Sequence, residues 1–193
     1  EFLVAPGTVD PRPAMLELDA AIPKDWTVVS GGAHFAGIAV THMYGRPAEQ
    51  VHIINDFGAI GSAFPIAIGM AAARGDGKVL LIEGDGSLMM HIQELETIRR
   101  QGIRMLICAV NDGGYGAEVH KFRAQGYNPQ ESQHGRGDIA SIARGFGLRV
   151  TPKGVKTYIV QGRVAGTTTD RRITIGSYAT QGGCRWTTPA AST

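Results

Sequence analysis

Cysteine is nearly absent from this chain of 193 residues: Cys108 and Cys184 are the only two. Two thiols, one inside an apolar run and one in a polar tail, give neither a disulfide framework nor the spacing of a zinc centre. The six histidines are scattered without ligand spacing, and aromatic residues make up only 7%. Long apolar runs are missing as well. The longest, such as residues 105–110, fall far short of the roughly 20 residues needed to cross a bilayer, which argues against a membrane partner. No basic-then-apolar leader opens the chain, so a cytoplasmic location is the expectation. No initiating Met opens it either, and the first residues run into Pro6, Pro11 and Pro13. That start reads as an arriving linker and predicts that the protein begins earlier.

What is present is a soluble α/β composition, with 43% hydrophobic residues and 27 glycines. The net charge of +2 hides an asymmetry. Residues 1–150 carry 13 Lys and Arg against 16 Asp and Glu, a net −3, whereas residues 151–193 carry 6 against 1, a net +5.

Short apolar runs at 26–30, 51–55, 79–83 and 105–110 read as strands. Between them lie helical stretches at 14–22, 60–74 and 88–100, followed by one at 139–146 that Asp138 caps and Gly147 stops. The 60–74 stretch is apolar on most sides and predicts a buried helix. Leu88, Ile92, Leu95 and Ile98 recur at helical spacing ahead of Gly102. Residues 31–34 read as a small-residue loop carrying a lone His34. Residues 112–137, with six glycines, read as a long functional or mobile loop. Strand alternating with helix predicts an α/β fold, a doubly wound parallel sheet.

Two strand ends carry the chemistry. Residues 78–87 end in Glu83-Gly84-Asp85-Gly86-Ser87, and residues 105–116 end in Asn111-Asp112-Gly113-Gly114-Tyr115-Gly116. The carboxyl ends of such strands are where open α/β sheets hold ligands. Asp85 and Asp112 therefore stand side by side at one sheet edge, with glycines that let a ligand approach the backbone. Two carboxylates and nearby carbonyls suit a hard divalent cation such as Mg²⁺, whose remaining ligands are commonly a diphosphate. Read alone, a Gly-Asp-Gly-Ser after a strand is more often an ordinary turn.

These motifs, together with residues 58–69, 93–97 and 138–147, resemble the carboxyl-terminal cofactor domain of thiamine diphosphate enzymes, closest to acetolactate synthase-like proteins, over residues 20–149. The resemblance implies a thiamine diphosphate-binding fold and a carboligase or decarboxylase (transferase or lyase) acting on 2-oxo acids. It makes Asp85, Asp112 and the Gly114 carbonyl ligands of Mg²⁺. It also implies that Gly86 and Ser87 meet the diphosphate at the start of a helix from Leu88, with Gly58, Gly84, Asn111 and Tyr115 also at the cofactor. Ile60 matches the apolar position that props the cofactor into its bent form. The chain departs from the family where Asp112 replaces a second Asn, and in the 31–34 loop, which lacks an Asp that many relatives have. The glutamate that activates the cofactor belongs to a separate pyrimidine-binding domain that nothing here matches, and neither Glu94 nor Glu118 substitutes for it. No catalytic residue is therefore assigned. The expected partners are that domain or a subunit carrying it, in a homo-oligomer, and the fragment alone is expected to be inactive.

The tail is a different kind of sequence. Residues 156–164 and 171–175 alternate as strands around a Gly/Thr/Asp turn, predicting a basic β-hairpin extension on a truncated sheet. Residues 154–176 also resemble the arm-binding module of phage-type tyrosine recombinases, so the alternative function is a DNA-binding arm in which Lys156, Arg163, Arg171 and Arg172 meet phosphates. A solvated basic hairpin without a nucleic-acid partner is preferred. The expected domains are 1–149 and 150–193, with a fusion or frameshift junction near 148–156. Loss of the last parallel strand predicts an exposed sheet edge, and hence poor solubility, unless the hairpin covers it.

Overall fold

The computed structural model describes residue 4, residues 8–150 and residues 158–161. Four parallel strands form its centre: β1 (Thr27–Gly31), β2 (Val51–Ile54), β3 (Val79–Gly84) and β4 (Leu106–Val110). Among the described residues the sheet order is β2-β1-β3-β4-β6-β5, where β5 is Arg149–Val150 and β6 is Tyr158–Gln161. Every residue of β1 and β3 is buried. This explains why their sequences do not alternate: a parallel strand covered on both faces has no wet side.

The two faces can be separated residue by residue. Val29, Val79, Leu81, Ile107 and Ala109 pack under α3 (Ala63–Arg74), α5 (Glu94–Gln101) and α7 (Ile139–Gly145). Val28, Leu80, Ile82 and Cys108 pack under α1 (Pro11–Ala21) and α2 (His34–His42). The predicted doubly wound α/β sheet is therefore present. Beyond β4 it becomes mixed, because β6 pairs antiparallel with β4, from Leu106↔Gln161 to Ala109↔Tyr158, and β5 pairs antiparallel with β6. The β4 edge is covered along this pairing. The expected hairpin partner at 171–175, and most of the resemblance at 154–176, lie outside the described residues.

Several expectations need correction. α1 begins three residues earlier than predicted, because the Asp10 carboxylate caps it by accepting from the Arg12 amide. α3 is buried on one face only: Ala63, Phe64, Ala67, Ile68 and Ala71 are inside, while Pro65, Gly69, Ala72 and Ala73 are exposed. The single helix expected at 88–100 is two, α4 (Asp85–Met90) and α5, separated by a turn at His91–Gln93. The expected loop at 112–137 contains α6 (Gly116–Ala124) and a short 3₁₀ turn, Gln130–Ser132. Residues 34–42, expected as nothing beyond a loop at their start, form α2.

Away from the site, an ionic clip fastens the end of α1. Asp19, 7% exposed, accepts from Lys24 Nζ at 2.5 Å, from the Tyr44 amide at 3.0 Å and from Arg46 Nε at 3.1 Å. The Arg46 guanidinium also donates to the carbonyls of Ile22 and Pro23. A buried carboxylate satisfied this fully costs little to keep and much to strand. Together these contacts fasten the end of α1 and the turn before β1 to the segment that follows α2.

Candidate functional site

β3 and β4 pair in register from Leu80↔Leu106 to Gly84↔Val110, so their ends arrive at the same edge. Gly84 caps α4, and Asp85, Gly86 and Ser87 form its first turn. The helix thus starts at the acid itself and not at Leu88, where the sequence predicts it.

Asp85 is 2% exposed, and both its oxygens are engaged: Oδ1 accepts from the Gly86 amide at 2.9 Å and Oδ2 from the Gly113 amide at 2.8 Å. The second bond ties the end of β3 to the loop after β4. Burial raises the Asp85 carboxyl above the usual carboxylate range, and the neighbouring Asp112 charge pushes it further. The amides of Gly113 and Gly86 pull the other way. Asp112 is more open, with 38% of its side chain exposed, and its Oδ2 lies 3.8 Å from His34 Nε2. A methyl group built on Gly116 would come within 2.2 Å of His34 Cε1 and 2.6 Å of Asp112 Oδ2. Glycine at 116 is what lets these two side chains face each other.

The Asp112–Tyr115 loop is clamped from outside. Gly114 pairs antiparallel with Gln133, through the Tyr115 amide on the Ser132 carbonyl (2.8 Å) and the His134 amide on the Gly113 carbonyl (3.0 Å). In a pairing of this type the central residue's own N–H and C=O point away from the partner chain. Gly114, which lines the cleft, therefore turns its carbonyl away from residues 132–134. Nor can a side chain stand there, since a Cβ at Gly114 would meet the Ser132 carbonyl at 2.6 Å.

The cleft between the strand ends brings together Ile60, Gly84, Asp85, Gly86, Ser87, Asp112, Gly114 and Tyr115 of the predicted site. Gly58 and Asn111 are not among its walls. Gly58 is exposed and takes a left-handed conformation (φ 66°) beside the equally left-handed Phe57. Asn111 uses Nδ2 to hold the Gly137 carbonyl at 3.0 Å, while its Oδ1 is buried without a hydrogen-bond partner. Gly32, Ala33, His34, Phe35 and Gly116 also line the cleft. Of these, Gly116 ends the second motif and Gly32, Ala33 and His34 belong to the small-residue loop at 31–34, whereas nothing in the sequence marks Phe35.

Beneath the site lies a charge that no motif marks. Glu83 is fully buried, and its Oε1 accepts from the Gly84 amide at 3.2 Å. Its Oε2 has no partner. Burial pushes this carboxyl up to about 7, against the opposing pull of the Gly84 amide and the Ser87 hydroxyl. Its oxygens occupy the space that a side chain at Gly31 would need, 2.2 Å from a Cβ built there.

Do these residues fit a Mg²⁺ diphosphate? The donors are hard oxygens, two carboxylates and an outward carbonyl, on a floor of glycine, which is the chemistry that Mg²⁺ takes. Among the described residues no three His, Cys, Asp or Glu side chains converge as a metal centre. A metal here would therefore lean on backbone and phosphate oxygens, and the donor set fits that arrangement.

Comparison with known proteins agrees. Residues 32–163 match the family described as thiamine pyrophosphate enzyme, C-terminal TPP binding domain. The chain is 33% identical over 154 residues to the acetolactate synthase large subunit of Haemophilus influenzae, covering 76% of this chain and 26% of that protein. It is 31% identical over 158 residues to acetolactate synthase 2, chloroplastic, of Zea mays, covering 75% and 25%. The chain thus spans about a quarter of the length of these curated relatives. Among solved structures, the thiamine diphosphate-dependent 4-hydroxybenzoylformate decarboxylase of Rhodococcus jostii RHA1 superposes with a TM-score of 0.67 at 24% identity, over 77% of this chain and 28% of that one. At that identity the likeness speaks for the fold. No helix among the described residues is long and apolar enough to cross a membrane.

Proposed function

The chain belongs to the thiamine pyrophosphate enzymes as a C-terminal TPP-binding domain, and from that membership we propose that it holds the diphosphate of thiamine diphosphate through Mg²⁺, as one half of an acetolactate synthase-like site for 2-oxo acids. The observation that carries this reading is the cleft lined by Asp85, Asp112 and Gly114, whose carbonyl turns away from the residues clamping it. Asp85 and Asp112 hold the cation, with the Gly114 carbonyl as a third oxygen. Ile60, which lines the cleft, would stand as an apolar wall beside the bound cofactor. When bound, the cofactor supplies the nucleophilic thiazolium carbon for attack on a 2-oxo acid carbonyl, while the protein supplies placement. Residues 1–149 carry this role; residues 150–193 are assigned no part in it.

The other half of the site comes from a pyrimidine-binding domain or a subunit carrying it. Exposed apolar side chains follow the cleft residues closely in sequence or precede them by a few positions. Phe57 stands wholly in solvent on a left-handed backbone, and Met89 and Met90, at the end of α4, are nearly half exposed. An aromatic held out on a strained backbone costs roughly 1–3 kcal/mol in isolation, a cost that a docked neighbour offsets.

Calorimetry of thiamine diphosphate with and without Mg²⁺ tests the reading. Wild type is expected to give Mg²⁺-dependent heat and Asp85→Ala none. Equal heats from the two proteins, or no heat from wild type at any concentration, would overturn it.

A further inference from the structure

His134 lies in no motif, yet it completes a circuit of contacts between the two strand ends. Asp85 Oδ2 accepts from the Gly113 amide at 2.8 Å. The Gly113 carbonyl accepts from the amides of His134 (3.0 Å) and Gly135 (2.9 Å). The imidazole of His134 then returns to the residue beside Asp85: a methyl group built on Gly86 would lie 3.3 Å from His134 Nε2 and 2.7 Å from Tyr115 Cε1. The two rings meet edge to face, with centroids 5.5 Å apart. The imidazole cannot swing freely, because its Nδ1 sits 3.0 Å from the Gly135 carbonyl. A carbonyl oxygen only accepts, so Nδ1 carries the proton and donates.

We infer that His134 is a positioning residue of the candidate site: it closes a circuit from Asp85 through Gly113 back to Gly86, and so fixes the two strand ends relative to each other before any ligand arrives. The backbone bonds of residues 132–135 locate the second loop, which meets the first strand end through the Asp85–Gly113 bond and through the Tyr115 ring beside Gly86. The His134 ring packs against Tyr115 and beside Gly86 and so braces this meeting point. That packing keeps the Asp85 carboxylate and the Gly114 carbonyl facing one space.

The role for the metal and diphosphate rests on the proposed function, whereas the circuit itself does not, and the experiment separates the two. Hydrogen exchange is read at the Gly113 and Tyr115 amides without cofactor, in the full chain, for wild type, His134→Ala and His134→Phe. The alanine variant is expected to exchange at least about fivefold faster at these two amides and unchanged in β1, with the phenylalanine ring restoring most of the protection. Mg²⁺-dependent binding of thiamine diphosphate, read by calorimetry, is expected to weaken about tenfold in His134→Ala and to recover in His134→Phe. Exchange unchanged in the alanine variant, or as fast in the phenylalanine variant, overturns the inference. Heat absent from wild type, with the exchange pattern as expected, overturns the proposed function and leaves the circuit standing.

Discussion

Asp85 and Asp112 end neighbouring parallel strands in similar glycine-rich surroundings, yet the fold treats them in opposite ways. Asp85 is 2% exposed and gives each oxygen a backbone amide, whereas the Asp112 side chain is 38% exposed and faces only His34 at 3.8 Å. The difference follows from where the chain goes next. After β3 it turns straight into α4, so the acid is caught in a helical first turn beside Tyr115 and His134. After β4 it runs through Asn111, Gly113 and Gly114 to Tyr115 before α6 begins, and the acid stands on the open side of that loop. One carboxylate is thus part of the framework, and the other is an adjustable charge beside it.

The comparison breaks most visibly at Asp85. Asp85→Ala strands the Gly113 and Gly86 amides, at roughly 2 kcal/mol each for a buried donor. An unfolding free energy lower by up to about 4 kcal/mol is therefore expected from denaturant titration, together with the loss of Mg²⁺-dependent heat. A loss below about 1 kcal/mol would mean that Asp85 is not part of the framework.

Glu83, two residues before Asp85 and inside β3, sharpens the contrast because it is buried without full satisfaction. Its folded carboxyl sits at about 7 instead of the ordinary 4.5. Between those values the folded state binds more protons than the unfolded one, so stability falls as pH rises through that window and levels off above it. The full difference is roughly 3 kcal/mol. Glu83→Gln is expected to abolish the slope and to be the more stable protein above that window, as read from melting temperatures across the acid-to-alkaline range. A slope that persists in the glutamine variant assigns the effect elsewhere.

How much of this is legible in sequence depends on which forces wrote each element. β1, β3 and β4 announce themselves because near-complete burial demands largely apolar runs, and Gly102, left-handed at φ 62°, ends α5 where expected. α2 and α6 are hidden because neither has a side-chain cap: Ala33 and Tyr115 precede them without one. The break between α4 and α5 is masked by genuine spacing, since Leu88, Leu95 and Ile98 are all buried although a turn divides them. In the site, the acids are visible as residue types at strand ends. The clamp is not, because Gly113, Tyr115, Ser132 and His134 hold one another through backbone groups that nearly every residue carries.

The smallest expected effect tests the adjustable member. Asp112→Asn removes a charge that helps to raise Asp85 while leaving an oxygen in its place. In metal-free protein the Asp85 carboxyl should then titrate lower than in wild type, as followed by carboxyl carbon NMR. A raised folded carboxyl lowers stability once it ionises, so the substitution should stabilise slightly above that transition and do nothing below it. Because Asp112 is more than a third exposed, solvent and salt screen the repulsion, and the gain stays below about 1 kcal/mol and shrinks as ionic strength rises. Mg²⁺-dependent binding should survive within about tenfold, because the asparagine oxygen still serves a hard cation. If Asp112→Asn instead loses binding and stability as Asp85→Ala does, the two acids are equal partners and exposure is a poor guide to the second.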